Sequence, residues 1–293
     1  MITMKFGGTS VGDVQRLEDV ASIVRSYLPR RPVVVASAMA GVTDMLLETA
    51  KLAVLRENGR VESNIQALKA KHRHVADSLI VPAELRDELL GRHSQLIEKL
   101  ANLCQGVSLL KELSVRSLDA IASFGEMLSC LQITAILNSR GVPAEFVDAR
   151  RIIRTDAHFG EAAVDFPVTR ESARKELLPL VERNMVPVVT GFVGSTADGL
   201  TTTLGRSGSD YTASIIGAAL DSEEIWIWTD VDGVMTADPR TVKAAAVLPE
   251  ITYREAAEMS YFGARVIHPK TMMPAIENGI PIRIKNTFNP AHP

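Results

Sequence analysis

The sequence predicts an α/β protein with a mostly parallel sheet that helices cover on both faces. Short β-branched runs alternate along the chain with longer segments of helical period, which is the pattern of such a sheet. The chain has 293 residues, and this length can bury a sizeable core in one large domain or two small ones.

The first elements are a strand, a glycine loop and a helix. We expect the strand to end at Phe6 and the loop 5–10, KFGGTS, to follow its end. Apolar residues then recur at the spacing of one helix face: Leu17, Val20, Ala21, Val24 and Leu28. A second buried strand, 33–36, leads into another candidate ligand loop, 37–44.

The middle of the chain is predicted to be helical. The stretch from about 61 to 111 is charged, Leu-rich and almost free of glycine, which indicates an inserted helical hairpin. Either a lid or the contact face of a homodimer is consistent with it. The next stretch, 115–138, carries a helical stripe and would place Glu126 in the middle of a helix. Further strands are predicted at 144–147, 186–190, 224–228 and 281–285.

Composition excludes several classes of partner. The net charge is -3, and without a Lys/Arg run we expect neither a nucleic-acid partner nor an anionic membrane. We find no signal segment and no run of membrane-spanning length. The two cysteines, Cys104 and Cys130, are predicted to be reduced and packed. Cytoplasm is the expected location.

Two glycine-rich segments carry the candidate residues for binding an anion. In the segment 201–214, Arg206 and Asp210 stand where a helix is predicted to begin, and a helix start with glycines before it attracts anions. The loop 5–10 adds a second such site beside Lys5. This combination suggests a kinase of a small, negatively charged substrate.

Six ordered motifs are spread over nearly the whole chain. They are KFGGTSV (5–11), SAMAGVT (37–43), FGE (124–126), TTLGRSGSDYTA (202–213), WTDVDGVMTADPR (228–240) and YFGARVIHP (261–269). Together they resemble the aspartokinases of the amino-acid kinase family. The resemblance implies a three-layer αβα sandwich over 1–293, with an amino-acid lobe at 1–190 and a nucleotide-binding lobe at 191–293. Because aspartokinases commonly continue into paired regulatory domains, the chain is expected to be either a catalytic fragment or a stand-alone kinase.

The resemblance also implies a reaction. ATP, with Mg²⁺, would phosphorylate the β-carboxylate of L-aspartate to give 4-phospho-L-aspartate and ADP, the first step towards lysine, threonine and methionine. A carboxylate is already ionised at neutral pH and needs no general base. Phosphate oxygens and water supply most Mg²⁺ ligands in such sites, so no metal ligand is predicted in the protein.

Each candidate residue has a chemical reason. Lys5 would neutralise the transferring phosphoryl group, and Gly7 and Gly8 would admit backbone N–H groups to the phosphates. Arg206 can hold a substrate carboxylate with two hydrogen bonds. Asp210 either orients Lys5 and the Mg-bound phosphates, as the resemblance implies, or belongs only to the helix start.

The resemblance places further residues at the two substrates. It assigns the aspartate site to Ser37, Thr43 and Glu126, with Glu126 taking the α-ammonium. Helix capping by Ser37 and Thr43, and a core ion pair for Glu126, are the alternatives. The predicted phosphate and nucleotide contacts are Lys5, Gly7, Gly8, Thr9, Ser10, Thr229, Asp230, Met235, Arg240 and Arg265.

Three residues depart from the usual aspartokinase pattern. Ser207 replaces a second glycine, so we expect a backbone conformation there that other residues tolerate. Met235 replaces a frequent tyrosine and Arg265 a usual lysine, changes that bear on nucleotide affinity. Two other functions stay open, namely a carboxylate kinase with another acceptor and a non-catalytic amino-acid or nucleotide sensor.

Overall fold

The computed structural model describes residues 1–237, 242–261 and 268–292. The strands are β1 (Ile2–Phe6), β2 (Pro32–Ala36), β3 (Ala144–Val147), β4 (Val186–Thr190), β5 (Val193–Ser195), β6 (Thr201–Thr203), β7 (Glu224–Thr229) and β8 (Ile282–Asn286). The helices are α1 (Val14–Ser26), α2 (Val42–Val54), α3 (Asn58–Leu79), α4 (Ala83–Leu110), α5 (Val115–Ala122), α6 (Phe124–Ser139), α7 (Phe166–Glu182), α8 (Gly208–Ala219), α9 (Tyr253–Tyr261) and α10 (Pro269–Glu277).

The described strands form one large sheet and one hairpin. The sheet has six strands in the order β3-β4-β2-β1-β7-β8, and all of its neighbouring pairs run parallel. Strand β1 lies between β2 and β7, so the loops after these three strands emerge side by side at one edge. Strands β5 and β6 form the antiparallel hairpin. Ligands of open parallel sheets bind at this carboxyl edge.

Alternate strand residues divide the core into two layers. On β7, Trp226 and Trp228 pack into the layer that contains α1 and α6, whereas Ile225 and Ile227 pack into the layer that contains α7 and α8. A strand buried on both faces has this arrangement because successive side chains point to opposite sides of the sheet. The fold is therefore the predicted three-layer αβα sandwich around a mainly parallel sheet.

The single long helix predicted across 115–138 is wrong in one respect, because the structure divides it at Ser123 into α5 and α6. The Ser123 hydroxyl donates to the Ala120 carbonyl oxygen at 2.7 Å. Such a local bond from a side chain to the backbone competes with a continuing helix. Glu126 consequently lies in the first turn of α6 and not in the middle of a helix.

The same segment corrects the expectation about membrane-spanning length. The stretch 115–139 is long and apolar enough to cross a membrane by length and composition alone, and its most apolar window has a mean hydropathy of 1.5. However, 94% of its most apolar window is buried inside the protein. Helix α6 is covered by β3, β4 and the helices α1, α3 and α4, so its apolar character follows from its position in the core.

The predicted helical hairpin of the insert is present as α3 and α4. Two buried histidines join it to α6: His72 Nδ1 lies 3.0 Å from Gln132 Oε1, and His93 Nε2 lies 3.1 Å from the Leu128 carbonyl oxygen. Burial lowers the pKa of His72 to about 4 and that of His93 to about 3. Both rings are therefore neutral packing groups at neutral pH.

Candidate active site

A cavity of about 340 Å³ opens at the carboxyl edge of the sheet. The loops after β1 and β2, the first turn of α6 and the segment before α8 converge on it. Its wall contains Lys5, Gly8, Ser37, Ala38, Met39, Ala40, Gly41, Thr43, Asp44, Glu126, Phe192, Gly205, Ser207, Gly208, Ser209 and Asp210. Four of the six motifs found in the sequence thus contribute residues to one concave site.

Lys5 provides the buried cation of this site. It lies on the central strand β1, only 8% exposed, and its Nζ is 2.6 Å from Asp210 Oδ1 in the first turn of α8. A cation and a carboxylate at this distance form an ion pair whose geometry is held by two rigid elements. Asp210 thus belongs to the helix start and also contacts Lys5, while its predicted role towards Mg-bound phosphates stays a prediction.

Glycines let the first two loops approach each other and Lys5. A Cβ on Gly7 would lie 3.2 Å from Lys5 Nζ, and a Cβ on Gly8 would lie 3.2 Å from the Ala38 carbonyl oxygen. Contacts this short are tighter than ordinary van der Waals packing. Larger residues would therefore push the loop after β1 away from Lys5 and from the loop after β2.

Glu126 is the buried acid of the cavity. It is 3% exposed; its Oε1 accepts a hydrogen bond from the Ala38 N–H at 3.2 Å, whereas Oε2 is buried without a partner in the described part of the chain. Burial raises the pKa of Glu126 to about 8. No described arginine pairs with this carboxyl group, in contrast to the alternative of a core ion pair. A ligand cation would satisfy Oε2.

Ser37 and Thr43 line the cavity close to Glu126. Both are half-buried, and neither hydroxyl has a hydrogen-bond partner within the described residues. Neither residue caps α2, because the residue at that N-cap is Gly41, with φ of 77°. Their hydroxyls can donate to or accept from a bound ligand.

Arg206 stands in the segment that links β6 to α8. Its neighbours Gly205 and Ser207 line the cavity, while Arg206 itself is exposed and forms no ion pair with any described residue. Arg206 thus stands between two residues of the cavity wall without belonging to the wall itself. An exposed arginine in this position can turn towards an incoming carboxylate.

The backbone at Ser207 has the left-handed conformation, with φ of 56° and ψ of 28°. This conformation favours glycine, but it lies in the small left-handed region that a non-glycine residue tolerates at a cost, in line with the expectation for this position. We predict that Ser207→Gly raises the free energy of unfolding by up to about 1 kcal/mol, because the serine Cβ clashes there with its own backbone. Urea unfolding measures the change. Ser209→Gly, in α8 and without a positive φ, is the control and should destabilise by about 1 kcal/mol.

Sequence reasoning missed Asp119, which positions the segment before α8. Asp119 is buried in α5; its Oδ2 accepts from the N–H groups of Gly160 at 2.9 Å and Thr203 at 3.0 Å, and its Oδ1 accepts from Thr203 Oγ1 at 2.8 Å. Thr203 ends β6, the strand that leads into Arg206. The sequence did offer a signal for this role, namely an acidic residue next to the apolar stripe of a predicted helix.

For the kinase reaction that the sequence motifs imply, we predict that Asp119→Asn raises the KM for the amino acid about tenfold and leaves the KM for ATP within about twofold, because an amide cannot accept from all three donors. Steady-state kinetics with each substrate varied in turn measures both constants. Asp165→Asn, at the N-cap of α7, is the matched control and should change neither. Equal changes in both KM values would contradict a positioning role.

Lys5 and Gly8 are the predicted phosphate contacts that line the cavity, whereas the other described nucleotide candidates lie outside its wall. Thr9 is exposed beside Gly8. Thr229 ends β7 and donates to Asp230 Oδ1 at 3.2 Å, while Met235 is half-buried and bridges to Val247. Arg240 and Arg265 lie outside the described residues. No described contact joins these side chains to Lys5.

Ser10 has a side chain that the protein itself engages. Its buried hydroxyl lies 2.7 Å from Thr287 Oγ1 and donates to the Trp228 carbonyl oxygen at 3.3 Å. The Gly7 N–H also donates to that carbonyl at 3.3 Å. These bonds fix the loop after β1 on the ends of β7 and β8, so the Ser10 hydroxyl positions the glycine loop.

The chain is similar to known kinases over nearly its whole length. The family model described as the amino acid kinase family matches residues 1–286. Aspartokinase 2, chloroplastic, of Arabidopsis thaliana is 41% identical over 99% of this chain and 53% of its own length. The lysine-sensitive aspartokinase 3 of Escherichia coli is 38% identical over 99% of this chain and 62% of its own length. The chain therefore spans between half and two thirds of these relatives.

A solved structure has the same fold. The crystal structure of E. coli aspartokinase III in complex with aspartate and ADP superposes with a TM-score of 0.90 and 38% identity, over 99% of this chain and 62% of that one. At this identity, a common fold over the whole chain reflects common descent. Together with the match of the family model to residues 1–286, this means that the chain belongs to the amino acid kinase family.

Proposed function

We propose that this chain phosphorylates the β-carboxylate of L-aspartate with MgATP and produces 4-phospho-L-aspartate and ADP. One observation carries the proposal: a single cavity joins the Lys5–Asp210 ion pair to Glu126, a buried acid with an unpartnered oxygen. Phosphoryl transfer to an amino acid needs a cation for the phosphoryl group and an anion for the ammonium. The complex of E. coli aspartokinase III with aspartate and ADP supports the choice of substrates.

The amino acid would bind by its charged ends. Glu126 Oε2 would accept from the α-ammonium, and the exposed guanidinium of Arg206 would hold a carboxylate. The hydroxyls of Ser37 and Thr43 would complete the hydrogen bonds. A zwitterion needs groups of both signs, and this cavity supplies both within about 340 Å³.

Transfer would then follow from positioning and charge. An oxygen of the β-carboxylate attacks the γ-phosphorus, the bond from that phosphorus to the bridging oxygen breaks, and ADP leaves with the bond's electrons. The carboxylate is already ionised, so no proton has to be removed. Lys5, held by Asp210 at 2.6 Å, would neutralise charge on the transferring group.

The glycine loop fits the phosphates of a nucleotide. Gly7 and Gly8 present backbone without side chains beside Lys5, and a Cβ at Gly7 would fill the space next to Nζ. The described residues include no cluster of three or more His, Cys, Asp or Glu that could hold a metal alone. Bound Mg²⁺ would neutralise phosphate charge with ligands largely from phosphate and water. Thr9, Thr229, Asp230, Met235, Arg240 and Arg265 remain proposed nucleotide contacts.

The division into lobes is part of the proposal. The residues 1–190 would chiefly hold the amino acid and the residues 191–293 the nucleotide, although the cavity wall takes residues from both ranges. A cytoplasmic location, a homodimer and a place at the start of lysine, threonine and methionine synthesis belong to the same proposal.

An assay of ADP release with hydroxylamine trapping tests the reaction. MgATP is incubated with L-aspartate, with L-glutamate or without acceptor, and hydroxylamine converts any acyl phosphate to a hydroxamate. We expect hydroxamate with L-aspartate alone. ADP and hydroxamate with another acid would keep the kinase and overturn the substrate. ATP binding without turnover would favour a sensor, or a catalytic domain whose activity requires additional domains.

A further inference from the structure

A second cavity lies at the same edge of the sheet as the first and shares no lining residue with it. It measures about 470 Å³ and opens beyond the ends of β3 and β4. Its wall contains Arg150, Arg151, Arg154, Ser195, Ala197, Asp198, Gly199 and Thr201. Three arginines and the turn between β5 and β6 thus surround a concave space at the edge where parallel sheets bind ligands.

Two of the three arginines are neutralised inside the protein. The Arg150 Nε donates to both Asp148 oxygens, at 2.9 and 3.0 Å, and its Nη1 donates to Thr201 Oγ1 at 3.2 Å. Arg151 pairs with Glu176 at 2.6 Å and is otherwise exposed. These two residues give the wall a guanidinium surface with little net charge.

Arg154 differs because it has no acidic partner among the described residues. It is half-buried, and its Nη1 donates to Ser195 Oγ at 3.0 Å and to the Thr196 carbonyl oxygen. Within the described chain, its Nε and Nη2 donate no hydrogen bond. Asp198, on the exposed turn, lines the cavity without pairing with Arg154. The cavity therefore holds one positive charge, fixed by neutral acceptors, that no described ion pair neutralises.

We propose that this cavity binds a small multivalent anion, with Arg154 as its principal ligand. A guanidinium group held by one nitrogen, with the other nitrogens unengaged, is arranged to bind two oxygens of a phosphate or carboxylate group. Arg150, Arg151 and Thr201 add donors around it, and the cavity volume admits a phosphate ester or a tricarboxylate. The negative charge of Asp198 on the cavity wall limits the affinity for an anion.

The position of this site links it to the first cavity through a shared hairpin. Ser195 ends β5, and Thr201 begins β6, the strand that Asp119 holds at Thr203. Arg150 Nη2 also lies 3.0 Å from the sulfur of Met127, next to Glu126. An anion bound here would contact the hairpin that carries the segment of Arg206.

Titration of ¹⁵N-labelled protein with inorganic phosphate or with citrate tests the proposal. The amide of Gly199 reports the second cavity, and the amides of Gly8 and Gly208 report the first. We expect a saturable shift at Gly199 with a Kd on the order of 1 mM. A shift with phosphate alone would assign the ligand to phosphate esters, and a shift with citrate alone would assign it to carboxylates. Either result supports an anion site in the second cavity.

Variants of single arginines make the test specific. Arg154→Gln should weaken binding at Gly199 about tenfold or more and leave the shifts at Gly8 unchanged. Arg154→Lys keeps the positive charge but lacks the planar guanidinium group, so it should lose less affinity for the anion than Arg154→Gln. A graded loss of this kind distinguishes a lost ligand from a disturbed hairpin. Arg183→Gln, on the exposed end of α7, is the matched control and should bind normally.

Two results would overturn the proposal. One is no saturable shift at Gly199 with either anion, and the other is a shift that Arg154→Gln leaves unchanged. The titration measures binding and not turnover, so its outcome is independent of the hydroxylamine assay.

Discussion

Replacing Lys5 by alanine is expected to lower kcat about a thousandfold or more, while the Kd for ATP rises less than about tenfold. Lys5 is 8% exposed and holds the only cation among the described residues that lines the cavity wall. Because in the proposed reaction its charge would neutralise the transferring phosphoryl group, its contribution should be greatest in the transition state. ADP release measures kcat, and calorimetric titration measures the binding of ATP.

Two further variants isolate the role of the charge. Lys69→Ala, on the exposed surface of α3, controls for the loss of a lysine and should keep full activity. Lys5→Ala also leaves Asp210 without its ion pair, so thermal unfolding of Lys5→Ala and Lys5→Met must show a folded protein. Turnover within about threefold of the parent in a folded Lys5→Ala variant would remove this lysine from the mechanism.

The second large effect concerns Glu126 and the binding of L-aspartate. Burial raises the pKa of Glu126 to about 8, so its carboxyl group is mostly protonated at pH 7 when no ligand is bound. An ammonium group binds the ionised form, and binding should release a proton. We expect the Kd for L-aspartate to fall about tenfold for each pH unit up to pH about 8.

Glu126→Gln should raise the Kd for L-aspartate by about two orders of magnitude and remove this dependence on pH. The amide oxygen can still accept from the Ala38 N–H, so the loop after β2 should stay in place. Calorimetry in two buffers of different ionisation enthalpy counts the protons released. Glu48→Gln, on the exposed face of α2, is the matched control. Proton release that persists in Glu126→Gln would contradict the assignment.

The same shift predicts how stability depends on pH without ligand. The pKa of Glu126 is about 8 in the folded protein against 4.5 for the free side chain, so the folded state binds more protons between these values. The contribution of Glu126 to stability is then fully present below pH 4.5 and is lost as pH rises through about 8. Glu126→Gln should therefore lose less stability than the parent over this range.

Much of the fold follows from local patterns in the sequence. The strands β1, β2, β3, β4, β7 and β8 were predicted within one or two residues, since short apolar runs between breakers depend little on distant contacts. Lys5, Gly8 and Asp210 were selected from local patterns of glycines beside cations and a helix start, and the structure brings them to one cavity. The division of the helix at Ser123 and the short hairpin β5–β6 were not predicted, because neither has a strong local signal in the sequence.

The sequence by itself thus determined the α/β class and the αβα architecture that its motifs imply, and it proposed the residues that would bind anions. Only the tertiary structure decided which of these residues meet. It pairs Lys5 with Asp210, buries Glu126 with one oxygen unpartnered, fixes the segment of Arg206 through Asp119, and leaves Arg154 without a described ion pair in a second cavity. The physical reason is that helix and strand periods depend on near neighbours, whereas burial, pKa and ion pairing depend on residues distant in the chain.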